Sequence, residues 1–256
     1  MTTPALIEVA HLVAEYGSRR ILDDISFIVE QGEILVVLGG SGSGKSTLLK
    51  HMIGLLQPVS GAIRYQGHDL AQMEEDERAA LLKHVGISFQ SGGLFNSLSL
   101  ADNVALPLRE HGSYDEDTIQ ALVRMKLSLV GLAEAGHLLP GELSGGMRKR
   151  AGVARALALD PEILFFDEPS AGLDPITAAG LDEMVLALRR LLGLTLVVIT
   201  HELASIQAVA DRALMLHQGK IIFLGTLDEV ATCEHPRVQQ FFRRQSDFAM
   251  LSVSPR

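Results

Sequence analysis

The sequence predicts an α/β fold built around a parallel sheet, and two observations lead to this prediction. Three short runs, ILVVL (34–38), EILFF (162–166) and LTLVVI (194–199), are apolar without polar alternation, as is typical of strands that are covered on both faces. Between them, after residue 46 and from 176 to 193, apolar residues recur at the i, i+3 and i+4 spacing of helices. Strands that alternate with helices specify an α/β class.

The other segments predict two additions to this core. The first thirty residues and residues 61–70 contain short β-branched runs separated by turn residues, which indicates a small antiparallel sheet at the edge. Residues 91–157 have a mostly helical pattern and form a predicted helical subdomain. We therefore expect one domain over residues 1–256, with a C-terminal extension from about 227 to 256. The predicted breaks of the helical subdomain are Gly93, Pro107, Gly112, Gly131 and Pro140-Gly141.

Composition excludes several classes of protein. With 47% hydrophobic and 21% charged residues, the 256-residue chain can bury a substantial core. A net charge of −9 argues against broad nucleic-acid binding, which depends on many cations. The single cysteine, Cys233, excludes an intrachain disulfide. No secretory signal is visible, and the apolar runs are far shorter than the roughly 20 residues that a membrane span needs. We expect a globular protein that stays inside the cell.

A glycine-rich loop follows the first predicted buried strand and precedes a helical pattern. It satisfies the sequence G-x-x-x-x-G-K-[ST], whose glycines let backbone N–H groups point at phosphate oxygens at the start of a helix. Lys45 provides a cation for the β- and γ-phosphates, and the Ser46 hydroxyl suits Mg²⁺. The predicted nucleotide-contacting residues are Gly39, Gly40, Ser41, Gly42, Ser43, Gly44, Lys45, Ser46 and Thr47.

Two adjacent carboxylates end the second buried run. Asp167 and Glu168 stand at the carboxyl end of a predicted strand, where α/β sheets bind ligands. We expect Asp167 to hold Mg²⁺ through water and Glu168 to polarise the attacking water. Two acidic residues at the end of a strand are more often simply exposed to solvent. The catalytic interpretation of Asp167 and Glu168 therefore depends on the presence of the phosphate loop in the same chain.

The segment from Leu143 to Met147, Leu-Ser-Gly-Gly-Met, resembles the signature motif of ABC transporter ATPases. Its Ser144 lies 23 residues before Asp167 (167 − 144). The resemblance covers nearly the whole chain and implies a P-loop NTPase core of the RecA-like type. It also implies ATP and Mg²⁺ as cofactors.

The same resemblance assigns roles to four further residues. Tyr16 resembles the aromatic that stacks on adenine, and Gln90 the glutamine that senses Mg²⁺ and the γ-phosphate. Asp174 ends the segment that resembles the D-loop, and His201 is similar to the histidine that contacts the γ-phosphate. Each residue alone is better explained by packing or solvation. Their order and spacing favour the functional interpretation.

The signature implies a second copy of the chain. Ser144, Gly145 and Gly146 precede a predicted helix, whose N-terminus can bind anions. By the resemblance, they face ATP held by another copy, so that two ATP molecules lie between two head-to-tail chains. Met147 stands where ABC proteins commonly carry glutamine, which leaves the three phosphate-facing positions unchanged.

Two segments, 89–111 and 141–175, resemble the ATPases of Mla-type phospholipid transport systems, as does the HPRVQQFF sequence at 235–242. This implies an ATPase at the cytoplasmic face of the inner membrane that drives phospholipid, or another hydrophobic substrate, through a separate permease. The resemblance allows a small regulatory subunit and a membrane-anchored substrate-binding protein as further partners. The alternatives are the ATPase of an importer for a small polar solute, a non-transport ABC ATPase, and a P-loop kinase or GTPase.

Residues 91–106, directly after Gln90, are the predicted contact with the permease. It offers apolar side chains among polar ones, which suits a groove for a short helix. The alternative is that these side chains fill the core of the helical subdomain. The apolar residues in question are Leu94, Phe95, Leu98 and Leu100.

Overall fold

The computed structural model describes residues 5–245. The strands are β1 (Ala5–Tyr16), β2 (Arg19–Glu30), β3 (Ile34–Gly39), β4 (Ser60–Tyr65), β5 (His68–Asp69), β6 (Val85–Ser88), β7 (Ile163–Asp167), β8 (Thr195–Ile199), β9 (Arg212–His217) and β10 (Lys220–Thr226). The helices are α1 (Lys45–Met52), α2 (Glu75–Leu82), α3 (Leu100–His111), α4 (Glu116–Leu129), α5 (Gly145–Ala156), α6 (Pro175–Leu192), α7 (Leu203–Val209), α8 (Leu227–Val230) and α9 (Pro236–Phe242).

The predicted parallel sheet forms the centre of the molecule. Within residues 5–245 it has the strand order β10-β9-β3-β8-β7-β6. All neighbours pair in parallel except β10, which pairs antiparallel with β9. The three apolar runs of the sequence are β3, β7 and β8, which are neighbours. Together with the helices, this sheet confirms the predicted fold class.

Strand β3 explains why the apolar runs lack polar alternation. Ile34, Val36 and Leu38 belong to a core shared with α3, α4 and α5. Leu35 and Val37 belong to a second core on the other face, shared with β1, β2 and α1. Because each face of the sheet is covered, both sets of side chains must be apolar.

The N-terminal strands form the predicted antiparallel sheet. In the described structure its order is β2-β1-β4-β5, with β1 paired antiparallel to both β2 and β4. This sheet packs through residues such as Leu12 and Ile25 against the core that contains α1. Strand β2 also lies against the phosphate loop, since a Cβ at Gly44 would lie 2.6 Å from Leu22 Cδ2.

The segment 91–157 contains α3, α4 and α5, and two predictions within it are wrong. Pro107 does not break a helix, because it lies inside α3. An internal proline costs about 3 kcal/mol or more, but the burial of Val104, Ala105 and Leu108 on the same helix offsets that cost. Leu100 is fully buried, so it belongs to the core and not to an exposed groove.

No helix within residues 5–245 is both long enough and apolar enough to cross a membrane.

Candidate nucleotide-binding site

The predicted site residues gather at one edge of the parallel sheet. Strands β3, β8, β7 and β6 lie in that order, and their carboxyl ends point the same way. The phosphate loop begins at Gly39, where β3 ends, and Asp167 ends β7. His201 follows β8, and Gln90 follows β6. Residues that are far apart in sequence thus meet where α/β sheets bind ligands.

The phosphate loop depends on glycine at two close approaches. Gly39 has a φ of 149°, and a Cβ there would lie 2.3 Å from the main-chain oxygen of Leu216. Gly44 has a φ of 108°, and a Cβ there would lie 2.6 Å from Leu22 Cδ2. Gly44 is also the N-cap of α1 and has no side chain to bind the first N–H groups of the helix. These groups are therefore available to an anion.

Lys45 lies over this loop. Its ammonium donates to the main-chain oxygens of Gly39 at 2.8 Å and Gly40 at 3.1 Å. Burial lowers the pKa of Lys45, and the nearby carboxylates Glu168 and Asp167 act in the opposite direction. The lysine is therefore a partly desolvated cation that faces both acidic residues, which is the position that a triphosphate-binding lysine needs.

Glu168 is held in an unusual conformation. Its φ is 49°, in the left-handed region that a residue with a side chain rarely adopts. Its N–H donates to Ile199 O at 2.8 Å, and its own main-chain oxygen accepts from Lys149 Nζ at 2.8 Å. One carboxylate oxygen, Oε1, lies 2.9 Å from His201 Nδ1. The other, Oε2, is buried and is without a hydrogen-bond partner.

The unpartnered Oε2 of Glu168 shows what this arrangement can do chemically. A buried carboxylate oxygen without a partner is costly in a folded protein, and such atoms often mark a ligand position. Because Oε1 is bonded by His201, the carboxylate is fixed in orientation while Oε2 remains able to accept a proton from water. The bond to Nδ1 leaves the other imidazole nitrogen of His201, whose side chain is 59% exposed, open to a ligand.

The residues present also fit a magnesium ion. The pKa of Asp167 is raised, first by burial and then by the charge of Glu168, although nearby lysines oppose this. A divalent cation would relieve the same unfavourable environment. Within residues 5–245 no group of three or more His, Cys, Asp or Glu side chains could enclose a metal. Mg²⁺ is usually held by one or two protein oxygens together with phosphates and water, and the Asp167 carboxylate and the Ser46 hydroxyl are oxygen donors of this kind.

Tyr16, Gln90, Ser46 and Thr47 are the remaining predicted site residues outside the signature. Tyr16 ends β1 and is 50% exposed, which leaves its ring open to stack on a base. Gln90 is exposed, beside the strand that carries Asp167. Ser46 is exposed and Thr47 half-buried in the first turn of α1.

The signature residues stand at the start of α5. Ser144 is the N-cap of α5, and its Oγ accepts from Met147 N at 3.2 Å. Gly146 approaches α6 so closely that a Cβ would lie 2.6 Å from Thr177 Cγ2. No hydrogen bond of the described residues joins 144–146 to the phosphate loop. Among the described residues, the signature therefore has no direct hydrogen bond to the rest of the predicted site.

Asp174 stands beside the signature and acts within its own chain. Its Oδ1 accepts from Ile176 N and Thr177 N at 3.1 Å and 3.0 Å, which caps α6. These hydrogen bonds, and above all the one from the Thr177 hydroxyl, lower the pKa of Asp174. Gly145 is the neighbour of this cap, since a Cβ there would lie 3.5 Å from Leu173 Cδ2.

Comparison with known proteins decides the family. The ABC transporter family matches residues 22–171, which is more than half of the 256-residue chain. The chain belongs to the ABC transporter family. As an ABC ATPase it binds nucleotide and hydrolyses ATP, so the family recognised in the sequence is confirmed.

Two curated relatives and one solved structure are similar to this ABC ATPase. MlaF of Haemophilus influenzae, the ATP-binding protein of an intermembrane phospholipid transport system, is 41% identical, over 94% of this chain and 92% of that protein. The "Probable ribonucleotide transport ATP-binding protein mkl" of Mycobacterium tuberculosis is 42% identical, over 92% of this chain and 66% of that protein. A dimeric ATP-binding cassette bound to ADP and Pi gives a TM-score of 0.78 at 26% identity, over 86% of this chain and 98% of that one.

Sequence reasoning missed two cations of this ABC ATPase, both on α5. Lys149 is 8% exposed and contacts the backbone of Glu168. Arg155 donates to Gly93 O and lies over the Phe95 ring. The run Met-Arg-Lys-Arg marks α5 as cationic, but a sequence pattern does not tell a buried lysine from a solvated one. No signal in the sequence could have found the contacts of Arg155, because the partners are about 60 residues apart.

Proposed function

We propose that this ABC ATPase hydrolyses Mg-ATP between two copies of itself and thereby drives a membrane permease that moves phospholipid or another hydrophobic substrate. One observation carries this proposal. The sheet edge gathers a phosphate loop, two carboxylates and a histidine, whereas residues 144–146 of the signature make no hydrogen bond with them among the described residues. We infer that a second chain completes a site for ATP that uses both sets of residues, as the dimeric cassettes of similar fold support.

Within one chain, each residue at the sheet edge has a proposed task. Lys45 and the N–H groups of the phosphate loop bind the β- and γ-phosphates. Ser46, Asp167 and Gln90 would hold the magnesium ion, which neutralises phosphate charge when it is bound. Glu168 orients the attacking water through Oε2 and accepts its proton, and His201 positions Glu168 and contacts the γ-phosphate. Tyr16 stacks on the adenine.

The second copy supplies the signature. Ser144, Gly145 and Gly146 would present the N-terminus of α5 to the γ-phosphate on the other chain, and Asp174 would lie beside it. Because α5 has no acidic residue in its first turn, its N–H groups face an anion without repulsion. The dimeric cassette with ADP and Pi, which resembles this chain in fold, supports the same arrangement here.

The permease would bind at residues 91–98, which we call the docking segment. Phe95 is 49% exposed, while Leu94 and Leu98 are half-buried, so the segment presents apolar surface. Its backbone is fixed by the buried side chain of Asn103, which accepts from Phe95 N and donates to three main-chain oxygens, including those of Phe95 and Leu98. A preorganised apolar loop loses little entropy when a partner helix binds.

The cargo assignment rests on the relatives. The named system of the Haemophilus influenzae protein transports phospholipid, and the identity extends over nearly all of both chains. We therefore propose a peripheral position at the cytoplasmic face of the inner membrane, with a small regulatory subunit and a membrane-anchored substrate-binding protein as further partners. We also propose that residues 1–256 form a single nucleotide-binding domain, with the helical subdomain over about 91–157. Residues 246–256 of the proposed C-terminal extension lie outside the described residues.

Co-purification from native membranes tests this function. The tagged chain should be recovered in stoichiometric amount with an integral membrane permease. Leu98→Glu should keep the purified chain folded and able to bind ATP, but it should not be recovered with membranes, because a charge at the docking segment opposes apolar contact. Leu55→Glu changes another leucine, 63% exposed and outside the segment, and is the matched control.

Two outcomes would contradict the proposal. If the Leu98→Glu chain is recovered with the permease in stoichiometric amount, the permease binds outside the docking segment. Complex reconstituted in vesicles that contain fluorescent phosphatidylglycerol should transfer the labelled lipid only with Mg-ATP. If the same vesicles instead take up a radiolabelled ribonucleotide, the cargo class would be that named for the mycobacterial relative.

A further inference from the structure

Helix α5 touches both the backbone of Glu168 and the docking segment. Three of its residues make these contacts, Lys149, Gly152 and Arg155, and they follow one another at intervals of three. Residues at i, i+3 and i+6 form one ridge on a helix surface, about 9 Å long for six residues at the usual rise per residue. One ridge thus runs from the ATP site to residues 91–98.

Lys149 is the contact at the ATP site. The lysine is buried, and its ammonium donates to the main-chain oxygen of Glu168 at 2.8 Å. Glu168 has the left-handed φ of 49°, a conformation that costs of the order of 1 kcal/mol or more unless the surroundings impose it. A hydrogen bond from a buried cation is one of the stronger kinds of contact. Any shift of the Glu168 backbone therefore acts on α5.

Gly152 is the contact at the middle of the ridge. A Cβ at this position would lie 2.6 Å from Gly92 O and 2.8 Å from Gly92 Cα. A Cβ at Gly92 would in turn lie 2.9 Å from the main-chain oxygen of Arg148 on α5. Backbone therefore meets backbone here without any side chain between them. The helix cannot move toward the docking segment without displacing it.

Arg155 is the contact at the far end of the ridge. Its guanidinium donates to Gly93 O and lies 4.8 Å from the centre of the Phe95 ring. Burial lowers the pKa of Arg155, so these partners replace much of the water that the cation would otherwise bind. Phe95 is covered by Arg155 on one side and is 49% exposed overall. The exposed aromatic of the docking segment is therefore attached directly to α5.

We propose that this ridge of α5 transmits the position of Glu168 to the docking segment, as a route separate from Gln90. Lys149, Gly152 and Arg155 act as positioning residues, because they contact the backbone of Glu168 and the segment and not the reacting atoms. A helix hydrogen-bonded along its length moves as a rigid body, so a displacement at Lys149 reaches Gly92 and Phe95. The proposal rests on the proposed function in one respect, namely that residues 91–98 bind the permease.

Hydrogen exchange on the purified full chain tests the route without any permease. With MgCl₂ and the non-hydrolysable analogue AMP-PNP, exchange in the wild-type protein should slow in peptides that cover the phosphate loop and residues 91–98. Gly152→Ala should keep the change at the phosphate loop and lose the change at 91–98, because the added methyl displaces Gly92. Alanine favours a helix over glycine by about 1 kcal/mol, so α5 itself should not suffer.

Four further variants complete the test. Gly180→Ala adds a methyl inside α6, where nothing lies within 4 Å, and should behave as wild type. Arg155→Met should lose the response of the docking segment as Gly152→Ala does, and Arg155→Lys, which keeps the cation, should restore part of it. If Gly152→Ala and Arg155→Met both keep the wild-type response at 91–98, α5 is not the route. If only Gln90→Ala removes the response, the route runs through Gln90 alone.

The purified permease complex separates this inference from the proposed function. Wild-type chain that fails to bind the permease refutes the proposed dock, whatever the exchange data show. Gly152→Ala chain that binds the permease, and whose ATP turnover responds to the permease as that of wild type does, refutes the transmission along α5. We expect the Gly152→Ala chain to bind the permease, but its ATP turnover should no longer respond to the permease.

Discussion

The edge of the parallel sheet and the start of α5 differ in how their residues are connected. At the sheet edge, Glu168 contacts His201 and Lys149, which come from separate parts of the chain. At the start of α5, the Ser144 side chain bonds only to its own helix among the hydrogen bonds of the described residues. The first region is organised by long-range contacts and the second by helix capping.

The difference also extends to charge. Burial moves the pKa of Lys45 down and that of Asp167 up, so both are held in surroundings that disfavour their charged forms. Ionisable groups with pKa values shifted by burial do not stabilise the fold in their charged forms. They are typical of sites that bind a charged ligand. The signature contains no ionisable residue, and it offers only a hydroxyl and backbone N–H groups. In the proposed function, the sheet edge carries the catalytic groups and the signature completes the site for ATP.

The largest effect is expected from Glu168→Gln. The amide keeps the shape of the side chain but cannot accept the proton of the attacking water, so hydrolysis should fall by about 10²-fold or more. ATP binding should persist, and the chains should accumulate as an ATP-bound dimer. Steady-state turnover and light scattering measure these two results. Near-wild-type turnover would place the catalytic carboxylate elsewhere.

Ser144→Arg should act only between chains. A bulky cation at the N-terminus of α5 would block the approach of the second copy and oppose the helix dipole. Turnover that rises cooperatively with protein concentration should be abolished, while ATP binding by the isolated monomer should be unchanged by calorimetry. Loss of monomer binding, or normal turnover, would contradict a site made by two chains.

Lys45→Ala should weaken nucleotide binding itself. The lysine is the cation at the phosphate loop, and hydrogen bonds to charged groups contribute about 1.5–3 kcal/mol, which corresponds to roughly a tenfold to hundredfold loss of affinity. Calorimetric titration with Mg-ATP measures this change. Unchanged affinity would show that the phosphates bind away from the loop.

The smallest effects concern stability without ligand. Ser144→Ala removes the cap of α5 and should cost about 1 kcal/mol. Asp167→Asn should instead increase the free energy of unfolding at neutral pH. Because the folded pKa of Asp167 is raised above its ordinary value of 3.8, the native state binds more protons, and wild-type stability is lost as pH rises through that window.

Denaturant unfolding in EDTA, from pH 4 to pH 7, distinguishes these two variants. The Asp167→Asn chain should lose less stability than wild type as pH rises, whereas Ser144→Ala should run parallel to wild type at lower stability. An Asp167→Asn chain that is less stable than wild type at pH 7 would mean that the carboxylate stabilises the fold.

Local patterns in the sequence predicted those parts of the molecule that depend on local physics. The apolar runs gave β3, β7 and β8 because a strand covered on both faces must be apolar throughout. The glycines of the phosphate loop predicted its position because few other residues adopt a φ of 108° at Gly44. The spacing of the signature led to the family.

What the sequence could not predict depends on contacts between distant segments. Pro107 lies inside α3 because tertiary packing outweighs its local cost. Leu100 is as apolar as its neighbour Leu98, yet only Leu100 is fully buried. The bond of Lys149 to Glu168, 19 residues away, depends on how α5 packs against β6, the strand that pairs with β7. No local pattern carries such information.

Strand β3 has a mechanical consequence for the nucleotide cycle. It is hydrogen-bonded on both sides, to β8 and β9, and buried on both faces in two separate cores. Its amides should therefore exchange only when the whole molecule unfolds. The phosphate loop follows this strand directly. Strand β3 and the loop should therefore stay fixed while other parts of the molecule move. Whatever moves when ATP is bound and split must move relative to β3.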